Sequence, residues 1–592
     1  MIYARDHKTE SRMLSGFDPW WYLGPKRQKL LKESWPGLFR EFILNELPVE
    51  KVGNYFKDDF GRPTKELYCA LGVTVLQQMQ DLSDKETIRQ LAFNTEWHYA
   101  LDITEDTDEA KYMSLKTLWN FRKKVIDTEL DREIFNEGTG KLAKAFKVDT
   151  DKQRIDSVSR KHSGSNMKRL GRINIFARSI HGFLVNMKRH HREAFEALPE
   201  GYKEKYLTDK AVGCFSMVKP TESEKTLKAL SADLYKLVEW FKGDDKITSM
   251  STYKLLKRVL QEQCVITETG CDSPVEVSVK TAKEVPSDSL SRMLSGSDPD
   301  ASYDGHKGQG YQVQVMETYS RAEENGEAKT LNLITYVKVE PAHESDTNAL
   351  MPAIQFAMER GLEPKEILAD SLYGSDNNKE AAKAEGIEVV SPTMGQTKGE
   401  GLSISDFEKT ETGAVSKCPE RHMPLKTKIK GSKHIAVFDM SHCSCCLQAE
   451  ICPAKKGKRH YYLRYDEKQL RLAVRREYET TDEFKDRYRY RAGVEATMSS
   501  YDRLTGVKRL RVRGLPAVRF CATLKALGVN ILRAAAFTGK EIREKEAAES
   551  GLSVVSRIVL GFCGFLKADL RHMHRILSYH PVNNEFALQM AA

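Results

Sequence analysis

The chain has no uninterrupted apolar run of about 18 residues, the length a helix needs to cross a bilayer, so its pattern excludes a membrane-spanning reading. Its opening, Met1-Ile2-Tyr3-Ala4-Arg5-Asp6, lacks the charged-then-apolar order of a secretory signal, and a cytoplasmic location is expected. Charge of one sign is not in large excess: 93 Lys and Arg face 84 Asp and Glu, a formal net charge of +9. Cysteine is too sparse for a disulfide framework, with eleven residues in 592. At 40% hydrophobic and 30% charged residues the composition is globular, and the length suits roughly three or four domains.

The averages conceal two local concentrations. Between Lys455 and Arg476 nine Lys or Arg stand against Asp466 and Glu467, with Tyr461, Tyr462 and Tyr465 interleaved. Between Asp486 and Arg513 eight more stand against Asp486, Glu495 and Asp502. Clustered cations attract polyanions and release condensed counterions, and tyrosine rings can stack on bases, so two adjacent blocks favour a nucleic acid over a merely solvated face. Five of the cysteines lie between 418 and 452. Cys443-x-x-Cys446 has the spacing of a metal knuckle, and Cys418 and Cys452 would complete a tetrahedral thiolate site for a structural Zn²⁺, with Cys445 or His422 able to replace one ligand. A cluster of free thiols is the alternative.

Along the chain, residues 64–150 read as helical. Thr64 opens one apolar-periodic run, Ser83-Asp84-Lys85-Glu86 has the form of a capping box, and Ser114 opens a third run. A strand is expected around Gln153–Val158, then a long, highly charged helical stretch to about residue 290. Strand patterns return at Tyr311–Val315, Leu331–Val339, Glu366–Asp370 and Ile387–Val390, with helices between them, a mixed α/β order. Leu504 to Arg533 reads as a basic turn and an apolar closing helix. The hexapeptide Ser-Arg-Met-Leu-Ser-Gly occurs at 11–16 and 291–296, each time followed one residue later by Asp-Pro; chance or a shared turn is the default reading.

Three carboxylates carry the chemistry. Asp156 and Asp370 are expected at or near strand ends, where α/β sheets place their ligands, and Asp370 opens a small-residue turn, Ser371-Leu372-Tyr373-Gly374. Tyr488, Arg491 and Glu495 are three and four residues apart and share one face if the segment is a single helix. Two aspartates and a glutamate make a set of hard oxygen ligands suited to Mg²⁺, and a pair of such ions can drive in-line displacement at phosphorus. Arg491, one turn before Glu495, would orient that carboxylate or a phosphate. His306 and Lys307, in Gly305-His306-Lys307-Gly308, could reach a scissile phosphate or serve only as solvated cations of a hairpin approach.

Asp156-Ser157 followed by Ser165–Arg172, the segment Gly305–Tyr311, the turn Asp370–Gly374 and Tyr488-x-x-Arg491-x-x-x-Glu495 together resemble the DDE transposases of bacterial insertion sequences, most of all the branch called IS-eleven-eighty-two. The resemblance runs from Phe17-Asp18-Pro19-Trp20 to Arg533 and rests on the order and spacing of the motifs. It implies an α/β fold with an RNase H-like core, with Asp156, Asp370 and Glu495 as catalytic residues and ligands of Mg²⁺ (or Mn²⁺), and Tyr488 and Arg491 completing the last signature. The lysine this signature often carries seven residues after the glutamate is Asp502 here. Arg503, Lys508, Arg509, Arg511 and Arg513 are the candidate DNA-binding cations.

The implied organisation is a helical, DNA-binding domain at 1–150, the first core strand at 151–175, a helical insertion at 176–295 and the continued core at 296–400. A Cys-rich, zinc-binding and basic insertion at 401–480, the glutamate-bearing helices at 481–540 and a tail at 541–592 follow. The implied partners are double-stranded DNA, as terminal inverted repeats and target, and a second copy of the chain on paired ends; the implied location is the nucleoid. A metal-dependent endonuclease without strand transfer, or a catalytically silent DNA-binding derivative, are the competing functions.

Overall fold

The structure, a computed structural model, describes residues 2–5, 19–56, 63–161, 169–207, 223–267, 276–280, 298–304, 308–320, 330–395 and 401–549, apart from 411 and 432. His306, Lys307, most of Ser165–Arg172, both copies of the repeated hexapeptide and the tail from 550 lie outside them.

The N-terminal helices form where capping and apolar periodicity coincide. Ser83 and Glu86 make the reciprocal capping box of the Asp84–Phe93 helix, and Ser114 caps Leu115–Asp127. The first apolar run starts later than Thr64, because Glu66 accepts from the amides of Tyr68 and Cys69 and so caps Leu67–Met79. These helices do not keep a core to themselves. Leu71, Leu76 and Phe135 share one buried cluster with Tyr311 and Val313 of the sheet and with Phe520, Leu524 and Leu527 of the long helix Leu515–Glu549. That helix is long and apolar enough to cross a membrane by length and composition, contrary to the expectation that no such run exists, but 78% of the stretch is buried in the protein. Its apolar surface is consumed by packing. At Gly528 an added Cβ would stand 2.8 Å from Met79 Cα, so glycine is what allows the two helices to touch.

The strands are β1 (Lys152–Lys161), the hairpin pair β2 (Cys264–Thr267) and β3 (Glu276–Val279), β4 (Ser302–Asp304), β5 (Gly308–Thr318), β6 (Ile334–Pro341), β7 (Glu366–Leu368) and β8 (Glu388–Val390). The main sheet runs β4-β5-β1-β7-β8, with β6 also paired to β5. Strands β6, β5 and β1 are antiparallel neighbours; β1, β7 and β8 are parallel. Helices Leu350–Met358 and Asp376–Ala384 cover one face through Ile155, Met316, Tyr336 and Ile367. The segment from 173 to 279 has a buried core of its own, built on Phe176, Phe183, Leu234 and Leu256. Its first helix begins at Arg169, across the expected boundary at 175/176, and it includes the β2–β3 hairpin besides helices.

After β8 come β9 (Glu408–Lys409) and β10 (Val415–Lys417), which pair with each other, then β11 (Lys426–Lys430), β12 (Lys433–Phe438), β13 (Lys455–Lys456) and β14 (Tyr461–Asp466). The last four form an antiparallel sheet, β11-β12-β14-β13. Phe407, Val415, Phe438, Leu463 and Tyr465 make its small core, with Cys418, Cys443 and Cys452 packed against them. The Asp-Pro that follows the second hexapeptide has a structural role: Asp298 accepts the Tyr311 hydroxyl and, at 3.0 Å, the Gly514 amide at the start of the long helix.

Candidate active site

Asp156 is not at a strand end; it is the fifth residue of the ten in β1. What ends there is the pairing with β7, which covers Lys152–Arg154 against Glu366–Leu368. Two residues further on, in the same register, stand Asp156 and Asp370. Side chains two apart share a sheet face, so Asp156 lies on the face of Arg154, and Asp370 continues the face of Leu368. Asp156 Oδ1 accepts its neighbour Ser157's amide at 2.8 Å, and Asp370 Oδ1 accepts the Leu372 amide at 2.7 Å, which folds the turn back over the strand.

The third carboxylate arrives on a broken helix. Asp482–Tyr488 and Gly493–Thr505 are α-helical, but Arg489–Ala492 is a tighter 3₁₀ turn, so Tyr488, Arg491 and Glu495 do not share one continuous helical face. The break has a local cause. Arg154 Nη1 donates to the Tyr490 carbonyl at 2.7 Å, and its guanidinium lies so close to Gly493 that an added Cβ would fall 2.1 Å from Nη1. Arg154 is itself held by Glu317, which is fully buried and accepts from Arg154 Nε at 2.7 Å, the Thr497 hydroxyl at 2.7 Å and Arg533 Nη1 at 2.9 Å. On the other side Arg487 clamps Glu366 and Glu388 at the starts of β7 and β8. Tyr488 is packing, not chemistry: its ring stacks on Phe484, centroids 5.3 Å apart, over Leu368 and Val390.

These anchors bring Arg491 over the carboxylates. Its Nη2 is 3.0 Å from Asp156 Oδ2 and its Nη1 is 3.8 Å from Glu495 Oε1, so one guanidinium bridges residues 339 apart in the chain (495 − 156). Burial pushes the Asp156 carboxyl above the usual carboxylate range against the pull of Arg491, and the charges of Asp370 and Asp346 push it further. Asp346 is a member of the site that sequence reasoning saw only as part of a helix start. It is buried, accepts Gln314 Nε2 at 2.8 Å, and through Gln314 Oε1 meets the Tyr373 hydroxyl at 2.5 Å. Burial, then Asp346 and Asp156, hold the Tyr373 phenol well above its ordinary range. Tyr373 is three residues past Asp370, and Asn378 and Thr347 tie the same turn through the Tyr373 and Leu372 carbonyls. The network fixes the turn that presents Asp370.

The donor set suits a hard divalent cation: Glu495 is exposed, Asp370 half-buried, and all ligating atoms are carboxylate oxygens. As placed, the described residues contain no group of three or more His, Cys, Asp or Glu side chains set to hold a metal ion. Arg491, with its Nε buried and unpartnered among the described residues, supplies the positive charge between Asp156 and Glu495 instead.

The cysteines converge on a small cavity lined by Cys418, Cys443, Cys446 and Cys452 with His422 and His442. The two imidazoles stack at 4.3 Å. Burial pushes the Cys443 thiol up to about 11, and the neighbouring Cys452, Cys418 and Cys446 add to it. Cys445 is exposed, with its Sγ turned back to the Ser441 carbonyl at 3.1 Å, and does not line the cavity.

Of the five cations proposed for DNA, Arg503, Lys508, Arg509 and Arg513 are exposed. Arg511 is engaged: it pairs with Asp81 at 3.0 Å, as does buried Lys525 at 2.8 Å, docking the basic turn on the N-terminal helices. Asp502 stays within that turn, accepting the Lys508 amide at 2.9 Å.

The family described as "Transposase DDE domain" matches residues 417–535, and the one described as "Transposase domain (DUF772)" matches residues 36–124. No curated protein matches the chain. Among solved structures, a piggyBac transposase synaptic complex with hairpin DNA aligns over 93% of this chain and 82% of its own, at 10% identity and a TM-score of 0.27.

Proposed function

As a DDE transposase of an insertion-sequence family, this chain is, we propose, the enzyme that cuts DNA at the ends of its own element and joins the freed 3′-hydroxyl to a target duplex. The observation that carries this reading is the bridge from Asp156 through Arg491 to Glu495, beside Asp370 on the adjacent parallel strand. The sheet supports an RNase H-like core: three antiparallel strands, then two parallel ones, with the aspartates on the neighbouring strands β1 and β7 or just beyond.

Asp156, Asp370 and Glu495 would hold Mg²⁺ or Mn²⁺. When bound, such a pair of ions lowers the pKa of a water or hydroxyl and stabilises the leaving oxygen of an in-line displacement. The chain's own residues do the rest. The buried Asp156 and the network-fixed Asp370 keep two carboxylates in place before cations arrive. Glu495, exposed on the first turn of its helix, supplies the adjustable ligand. Arg491 neutralises Asp156 and Glu495 in the metal-free protein and is placed to meet a phosphate oxygen afterwards. In the first step a water oxygen bonds to phosphorus and the 3′ oxygen leaves with its electron pair as the 3′-hydroxyl. In the second that hydroxyl attacks a target phosphorus and releases another 3′ end.

Cys418, Cys443, Cys446 and Cys452 fit a structural Zn²⁺: four soft donors around one cavity, each raising its neighbours' pKa in a way a cation would reverse. The protein would work in the cytoplasm, on nucleoid DNA, as a homodimer that holds two ends together. Glu495→Gln tests the catalytic assignment with little risk to folding, since that side chain is 74% exposed. Metal-dependent nicking should vanish while binding to the element's ends persists; equal nicking by the variant removes Glu495 from the mechanism. Supplying a pre-cut end and a plasmid target separates a transposase from an endonuclease, which would yield no joined product.

A further inference from the structure

The four-stranded sheet β11-β12-β14-β13 has one face on its core and one on solvent, and the register decides which residues stand where. Directly paired residues in an antiparallel sheet share a face. Ala436, Phe438, Leu463 and Tyr465 are buried, so their partners' face is the inner one. The outer face then carries Lys426, Lys428 and Lys430 of β11, Lys433 of β12, Arg464 of β14 and Lys455 of β13, all exposed. None of the six forms an ion pair among the described residues. The one acid on that face, Asp466, is occupied in capping the Glu467–Glu479 helix.

We propose that this face is a docking surface for the sugar–phosphate backbone of duplex DNA, read without regard to sequence. Lysines on an edge strand can serve merely to prevent edge-to-edge aggregation. That accounts for β11 but not for Lys433 and Arg464, which lie on the two inner strands. Lys430 and Lys433 are also directly opposite each other, a like-charge pair that costs stability unless an anion lies across it. The size fits. Two-residue steps along β11 and three strand spacings across the sheet give a field about 14 Å on each side. A duplex carries one negative charge per about 1.7 Å of axis, so roughly eight phosphates pass over such a field. A single-strand platform needs rings facing out for bases to stack on. Here the only ring on the outer face is Tyr462, half-buried, with the Arg464 guanidinium 5.3 Å from its centroid and Gly457 packed against its edge. Five lysines and one arginine are point charges for phosphates rather than forks for base edges.

The inference rests on the transposase reading for its partner but not for its test. The full-length chain is titrated with a labelled 30-base-pair duplex of arbitrary sequence over a range of KCl concentrations. Its comparison is Lys426→Gln/Lys428→Gln/Lys430→Gln, which alters only exposed side chains. Each lost phosphate contact lowers the slope of log K against log salt by about 0.9, so the triple variant should lose about 2.7 in slope and two to three orders of magnitude in affinity near 0.1 M salt. A control triple of equal charge, Lys246→Gln/Lys254→Gln/Lys257→Gln in the separately cored lobe, should stay within about twofold of the parent. Unchanged binding by the first triple overturns the proposal. So do equal losses by both triples, or retention on anionic phosphatidylserine vesicles with no duplex binding at all. If the parent nicks no DNA yet the first triple alone loses duplex affinity, the catalytic reading falls and the docking face stands.

Discussion

Replacing Glu317 with Gln should loosen the helix that carries Glu495 before it affects anything else in the molecule. Glu317 is fully buried and is the sole carboxylate partner of both Arg154 and Arg533, whose side chains are 11% and 20% exposed. Removing one partner of a buried ion pair typically costs about 3–5 kcal/mol, because the remaining charge is left without compensation. Arg533 is partly wet and can rehydrate, which favours the lower end, about 3 kcal/mol. The loss falls on a defined place: Glu317 also holds the Thr497 hydroxyl, and Arg154 holds the Tyr490 carbonyl on the other side of the 3₁₀ turn. At about 1.4 kcal/mol per tenfold, amides of the Gly493–Thr505 helix should exchange with solvent roughly 150-fold faster in the variant. Amides of the Ser223–Phe241 helix, which belongs to a separate core, provide the internal reference and should not change. Exchange of Gly493–Thr505 within about threefold of the parent would refute the idea that Glu317 anchors the catalytic helix.

Three further outcomes follow from the same geometry. Tyr373→Phe strands Gln314 Oε1 in a buried site at a cost of about 1–3 kcal/mol; metal-dependent nicking should fall while duplex affinity, measured by anisotropy, does not. Asp376, buried between Arg471 and Arg475, is held below the usual carboxylate range mainly by its hydrogen bond from Arg471. Its contribution is therefore present above pH ~4 and lost as pH falls through the depressed value; Asp376→Asn should lower the urea midpoint at pH 6 and flatten its fall between pH 5 and 3. Cys443→Ser should abolish bound zinc measured by elemental analysis, whereas Cys445→Ser, outside the cavity, should retain one equivalent.

How much of this was legible in advance depended on how local the determinant was. The capping boxes, the strands around Asp156 and Asp370 and the closing helix follow from patterns a few residues long, and they stand where those patterns put them to within a few residues. The turn at Arg489–Ala492 was illegible because its cause is Arg154, more than 300 residues earlier, pressing on Gly493. Glu317 read as an acid near a strand end; its three partners lie 163, 180 and 216 positions away. Asp346 sits beside a genuine cap, Ser345, and local reasoning stopped at the cap. The lysines of β11 alternate as any solvated edge would, and become one field only when the register sets them beside Lys433 and Arg464. The site is therefore split between two kinds of information. The carboxylates are written locally, one per strand or helix. The cations that hold, neutralise and surround them are specified by tertiary register, and a substitution at Arg154 or Arg491 should disturb the assembly of the carboxylates while leaving each local element intact.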